Sequence, residues 1–150
     1  MNQEKIMKAK MITAILAAIA ALIAVFVFAG LYYDKCRENR AEYIRQFKAN
    51  ITEAAEEIDK YTEKGTDLEL HYNMVISDLG AARAMIFLVS DCTDEQKTIN
   101  ELHYCFVKYP VQMRDRLSET AKALHDTADD LDMGYEELRS IIDSVDKLGE

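Results

Sequence analysis

The chain has 150 residues, with 27 acidic against 18 basic side chains and a net charge of −9 at pH 7. That acidity, with no basic stripe in it, argues against nucleic acid as a partner, because phosphates are repelled. With one proline, five glycines and no stretch of alternating apolar and polar residues, the periodicity is helical throughout and the fold class is all-α.

Residues 1–10 form a basic tail with Lys5, Lys8 and Lys10. From Met11 to Tyr33 no side chain carries a charge. At about 1.5 Å per residue a helix takes that run across roughly 34 Å, enough for a hydrocarbon core of about 30 Å. Residues 11–33 therefore read as a transmembrane helix. Its contacts with the lipid bilayer would be Met11, Ile15, Ile19, Ile23 and Phe26, with Tyr32 and Tyr33 at the headgroup level. A cleaved secretory signal is the competing reading, with Val27-Phe28-Ala29 as its cleavage site. The apolar run is much longer than the roughly 7–15 residues such a signal uses. Ala14, Ala17, Ala18 and Ala21 make small-x-x-x-small faces on which two such helices can approach closely, so a homo-oligomer formed through the anchor or the stalk is a candidate assembly.

The positive-inside rule leaves the orientation finely balanced, since Lys35, Arg37, Arg40, Arg45 and Lys48 follow the apolar run. The short basic tail favours a cytoplasmic N-terminus and an external bundle. The three cysteines, Cys36, Cys92 and Cys105, make no closed disulfide set and favour a reducing compartment, so a cytoplasmic bundle stays open. Residues 49–150 carry ten basic and 23 acidic groups, a balance of −13.

Residues 34–64 read as a helical stalk that becomes the first helix of a bundle. Ile44, Phe47, Ile51, Ala54, Ile58 and Tyr61 recur at three- and four-residue intervals, a narrow seam for packing on other helices. No breaker stands between this segment and the apolar run except Gly30, so one helix is expected from near Lys5 to Lys64, with Gly65 as its stop. Residues 65–150 supply the remaining helices. The second is expected to start at Thr66 or Asp67 with a capping box closed by Glu69, and to end around Ser90-Asp91-Cys92. Its seam is Leu68, Tyr72, Val75, Leu79, Ala82, Ile86 and Val89, with Met74, Ala81, Met85 and Phe87 widening the apolar face. Gly80 would permit a close helix crossing. A box at Thr93-Asp94-Glu95-Gln96 opens the third helix, which points Ile99, Leu102, Phe106 and Tyr109 inward. Pro110 sits in the first turn of a fourth helix, whose inward set is Met113, Leu117, Ala121, Leu124, Ala128 and Leu131. Gly134 marks a turn before a short last helix with Leu138, Ile141, Ile142, Val145 and Leu148. Short connections imply antiparallel neighbours, so the expectation is an antiparallel four-helix-type bundle with a short C-terminal helix.

No motif for catalysis or for a cofactor emerges. The histidines His71, His103 and His125 lie one per helix, but the residues three before them are Leu68, Asn100 and Lys122, not the glutamates of a di-iron site. His71 has Asp67 one turn earlier as its single nearby acid. The cluster Asp126, Asp129, Asp130, Asp132, Glu136 and Glu137 fits no register of a calcium loop. Asn50-Ile51-Thr52 matches a glycosylation acceptor inside an expected helix. No cofactor and no metal are expected, and an enzyme is not.

One anchor followed by a helical bundle is a layout similar to chemoreceptor ligand-binding bundles and to LemA proteins, with no motif tying the chain to either. The expectation is a single-pass membrane protein whose bundle is a protein–protein interaction or scaffold module at the membrane surface, with an unknown protein partner. The alternatives are a small-ligand sensor with a pocket lined by Met74, Met85 and Met113, and a membrane-disrupting, holin-like protein.

Overall fold

The computed structural model describes residues 3–89, 92–131 and 133–147. Their regular structure is helical: α1 (Gln3–Lys64), α2 (Leu68–Ile86), α3 (Thr93–Lys108), α4 (Pro110–Arg114), α5 (Leu117–Asp129) and α6 (Tyr135–Asp143). No strand occurs among the described residues. The chain divides into two compact units, Met1–Asn39 and Arg40–Glu150. The boundary falls inside the segment expected to be the stalk.

The first unit is helix from Gln3 onward, and every described residue in it is exposed. Gly30 stays in the helix, as expected of an isolated glycine with no competing turn signal. The second unit is a helical bundle with one hydrophobic core. The distal part of α1 contributes Phe47, Ile51, Ala54 and Ile58 of the seam read from the sequence, with Ala55 beside them and the seam's end members Ile44 and Tyr61 half-buried. Tyr72, Val75, Leu79, Ala82 and Ile86 come from α2, and Ile99, Leu102, Cys105 and Phe106 from α3. Met113 on α4, Leu117, Ala121 and Leu124 on α5, and Leu138, Ile141 and Ile142 on α6 close it. Leu148, expected on the last seam, lies outside the described residues, as do Ser90, Asp91 and Asp132.

The most connected point of the core is Tyr72. Its hydroxyl donates to the carbonyl of Phe106 at 2.9 Å. Its ring lies 5.5 Å from that of Phe106 and 6.4 Å edge-on from Tyr61 at the end of α1. The Arg114 guanidinium sits 5.1 Å over the same ring, a cation–π contact. Four helices thus meet on one side chain. Burial pushes the Tyr72 hydroxyl far above its ordinary pKa, which the nearby Arg114 charge only partly offsets, so it stays a donor at any working pH.

The turns hold both confirmations and corrections. Gly65 ends α1 with φ +59°, and Tyr109 leaves helical geometry just before Pro110 opens α4. The expected capping boxes do not form. Asp67 adopts φ 54°, the left-handed region, so its carboxylate makes no cap bond to α2. Thr93 is already the first residue of α3 and cannot cap it. Its box partner Gln96 reaches back instead and donates to the carbonyls of Ile86 (3.1 Å) and Val89 (2.7 Å), satisfying the end of α2 that a box would have ignored. The fourth helix is not continuous. It breaks around Arg116, whose guanidinium bonds Gln112 O, Ser144 Oγ and Ser144 O at 2.7–2.9 Å and ties the break to the end of α6.

Gly134 begins α6 at φ +79°, and a Cβ there would overlap the Ala123 carbonyl oxygen and the Thr127 hydroxyl. Gly65 has a similar φ but open space around it. Gly65→Ala is expected to cost about 1 kcal/mol, the left-handed penalty alone. Gly134→Ala is expected to cost roughly 3 kcal/mol, because backbone must move as well. Thermal unfolding in one detergent ranks the two; equal losses would contradict the tight α5–α6 contact.

Candidate functional site

The first candidate surface is the apolar part of α1. Its most hydrophobic 18-residue window has a mean hydropathy of 2.9 and no buried residue. Met11, Ile15, Ile19, Ile23 and Phe26 are all exposed, and so are Ile12, Leu16, Leu22, Val25 and Phe28 between them. Apolar residues therefore occupy every face of the helix. A helix at a membrane surface would keep one polar face, and a core helix would be covered by protein. Leaving a dozen such side chains in water costs on the order of 20 kcal/mol. This helix is long and apolar enough to cross a membrane. The hydroxyl of Thr13, inside the run, is satisfied by the Ala9 carbonyl at 3.0 Å. Tyr32 and Tyr33 are exposed at the far end with rings 6.5 Å apart edge-on. Ala14, Ala17, Ala18 and Ala21 lie on the same bare surface, three and four residues apart. Beyond the run the charges pair locally, Lys8 with Glu4, Arg37 with Asp34 and Lys35 with Glu38, and such exposed pairs add little stability.

Further large apolar side chains are exposed on the bundle itself. Leu70 and Met74 on α2, Tyr104 and Val107 on α3, and Val111 on α4 are exposed. They sit opposite the buried positions of their own helices, which are Tyr72 and Val75 on α2 and Cys105 and Phe106 on α3. Met74 and Phe87 were expected to widen the buried face of α2; they are 40% and 53% exposed. Met85 and Ile76 are half-buried against the core and do widen that face beyond the three–four seam, whereas Phe87 lies past the last turn of the helix. Tyr104 and Val107 are three residues apart on the outer face of α3, while Val111 lies on α4 beyond the break at Tyr109.

The third feature is a polar cluster between α1 and α2. Glu57 is buried, with its carboxylate 2.6 Å from both Lys60 Nζ and His71 Nδ1. Burial alone would raise the Glu57 pKa; the hydrogen bonds from Lys60 and His71 outweigh it and hold the group below its ordinary value. The sequence paired His71 with Asp67. The left-handed turn at Asp67 and the approach of α1 give it to Glu57 instead. Asp78 sits nearby, and burial together with the Glu53 and Glu57 charges raises its pKa, with Lys60 opposing. His125 Nε2 lies 3.1 Å from Asp59 across α5 and α1. A Cβ on Gly80 would stand 3.4 Å from the His103 ring, an ordinary contact with a side chain, so that glycine is not forced by a close helix crossing. Burial, then the Arg83 charge, lowers the His103 pKa.

No metal-holding group of three His, Cys, Asp or Glu side chains occurs among the described residues. Thr52 and Asn50 lie within α1 beside the buried Ile51, so the glycosylation match falls in helix. The methionines do not share a pocket: Met113 is wholly buried and Met74 is on the surface. An open cleft of about 480 Å³ lies among Ile44, Lys48, Ile86, Cys92, Asp129 and Leu131, bridged by Lys48 Nζ donating to Asp129 O at 3.0 Å. A second of about 260 Å³ lies between α5 and α6, walled by Glu119, Lys122, Asp126 and Glu137. Both are half open to solvent and walled in part by charged side chains, unlike enclosed apolar ligand pockets. No family model matches the chain, and neither a curated protein nor a solved structure matches it.

The shifted groups set the response to acid. His103, lowered in the fold, contributes stability that is complete above its ordinary value of 6.5 and is lost as pH falls through its folded value. Glu57, also lowered, is complete above 4.5 and lost below. Asp78, raised, contributes fully below 3.8 and less as pH rises through its folded value. Thermal stability is therefore expected to fall in two acid steps, with His103→Gln abolishing the one that begins near pH 6.5. Asp78→Asn is expected to stabilise the protein at pH 7 by about 0.5 kcal/mol, small because solvent reaches the carboxylate. An acid profile unchanged by His103→Gln would contradict this assignment.

Proposed function

We propose that this chain is a single-pass membrane protein whose helical bundle is an interaction module at the membrane surface. The observation that carries the reading is the wholly exposed apolar stretch of α1, which finds an apolar surrounding on all sides only in a bilayer. The flanking features agree: lysines before the run, tyrosines at its end, and Lys35 and Arg37 after it. The bundle has its own closed core, so it needs no lipid to fold, and it presents Leu70, Met74, Tyr104, Val107 and Val111 outward. Its charge balance of −13 over residues 49–150 disfavours nucleic acid and favours a partner surface that is apolar with a basic rim. Lys5, Lys8 and Lys10 favour a cytoplasmic N-terminus and an external bundle. The alanine faces at Ala14/Ala18 and Ala17/Ala21 are available for a second copy in the membrane.

Val107 is exposed and outside the core, so Val107→Asp is expected to leave the unfolding temperature within about 2 °C while cutting crosslinked partner several-fold. A protein that is strictly monomeric and gives no crosslink, wild type included, would overturn the interaction reading. An impermeant maleimide added to intact cells is expected to label Cys36, which is exposed; labelling only after lysis would put the bundle on the inner side.

A further inference from the structure

Three large apolar side chains sit on turns, where polar residues usually meet solvent. Phe87 and Leu88 follow the end of α2, and Met133 precedes α6; each is a little over half exposed. These two turns belong to the same end of the bundle. Ile86 and Leu131, beside them, line one cleft with Ile44 and Lys48 of α1. Lys48 bonds the Asp129 carbonyl at the close of α5, and Gln96 ties the Ile86 and Val89 carbonyls at the close of α2. This is the end at which the chain comes into the bundle, at Arg40. By contrast the turn after α1, Gly65-Thr66-Asp67, carries no apolar side chain.

We propose that Phe87, Leu88 and Met133 dip into the headgroup layer of the bilayer crossed by the apolar part of α1. This rests on reading Met11–Tyr33 as the span. Six residues, 34–39, lie between Tyr33 and Arg40, so even a fully extended connection keeps that end within about 25 Å of the edge of the span. A tether that short gives the turns a high effective concentration at the lipid surface, so three modest apolar anchors suffice. The charge around them selects the lipid. Glu95, Asp129 and Asp130 line the cleft beside the two turns and disfavour an anionic surface, while Arg40 and Lys48 on its α1 wall supply the basic groups a zwitterionic phosphate layer would meet.

The chain contains no tryptophan, so one introduced tryptophan is the sole reporter. Leu22→Trp in the span, Phe87→Trp and Met133→Trp on the turns, and Val107→Trp on the outer face of α3 are reconstituted as full chains. The vesicles are phosphatidylcholine with brominated acyl chains, and circular dichroism checks each fold. Leu22→Trp is expected to be quenched several-fold, and Phe87→Trp and Met133→Trp about two-fold, while Val107→Trp is unquenched. The turn signals are expected to weaken as phosphatidylglycerol replaces phosphatidylcholine. Quenching of Leu22→Trp with none at Phe87→Trp and Met133→Trp overturns this proposal and leaves the span standing. No quenching at Leu22→Trp overturns the span itself. A blue shift at Phe87→Trp that grows with protein density, without quenching, means a second copy covers the turn and also overturns the proposal.

Discussion

A helix that is apolar on every face is stable only where apolar atoms cover it, and residues 11–33 of the first unit form such a stretch. Its exposed side chains exceed, by any reasonable area estimate, the whole net stability of a typical domain if left in water. The rest of the chain is consistent with that constraint. Charges stop at Lys10 and resume at Asp34. The single hydroxyl within the run before its tyrosines is bonded to its own backbone. The acidic excess is confined to residues 49–150, away from the apolar run.

The bundle solves a different problem, that of holding short helices together without helix caps. None of α2, α3, α4, α5 and α6 has a side-chain cap bond at its start. Stability comes from tertiary ties instead. Tyr72 gathers Tyr61, Phe106 and Arg114; Gln96 closes the end of α2; Arg116 locks the α4–α5 break to Ser144; Glu57 joins α1 to α2 through His71. Each tie couples two or more helices, so losing one loosens a junction rather than fraying a single terminus. The polar junction at Glu57 and Asp78 also mixes opposing effects: one carboxylate is stabilised as an anion and the other disfavoured, so their contributions to stability run in opposite directions with pH.

Patterns that depend on a strong, repeated signal were legible in the sequence. The uncharged run, the Phe47-Ile51-Ala54-Ile58 seam, the stop at Gly65, the Tyr109-Pro110 break and the turn at Gly134 all appear where the residues put them. What failed was local chemistry decided by tertiary contacts. Thr66 and Thr93 match capping boxes, yet Gln96 is more valuable against the orphan carbonyls of α2, and Asp67 is bent out of a capping geometry. His71 found Glu57, fourteen residues away, rather than its neighbour one turn earlier. Met74 and Phe87 were apolar near a seam but not on it. The outward pair Tyr104 and Val107 was readable by its three-residue spacing and was masked by the inward stripe on the same helix.

The central claim is that residues 11–33 lie within a bilayer, and alkaline carbonate extraction of membranes from cells expressing the full chain tests it most directly. The protein is expected to stay in the pellet at pH 11, and a variant carrying Ile15→Asp, Ile19→Asp and Ile23→Asp together is expected to move to the supernatant with its bundle still folded. Release of the unaltered chain into the supernatant would contradict the claim.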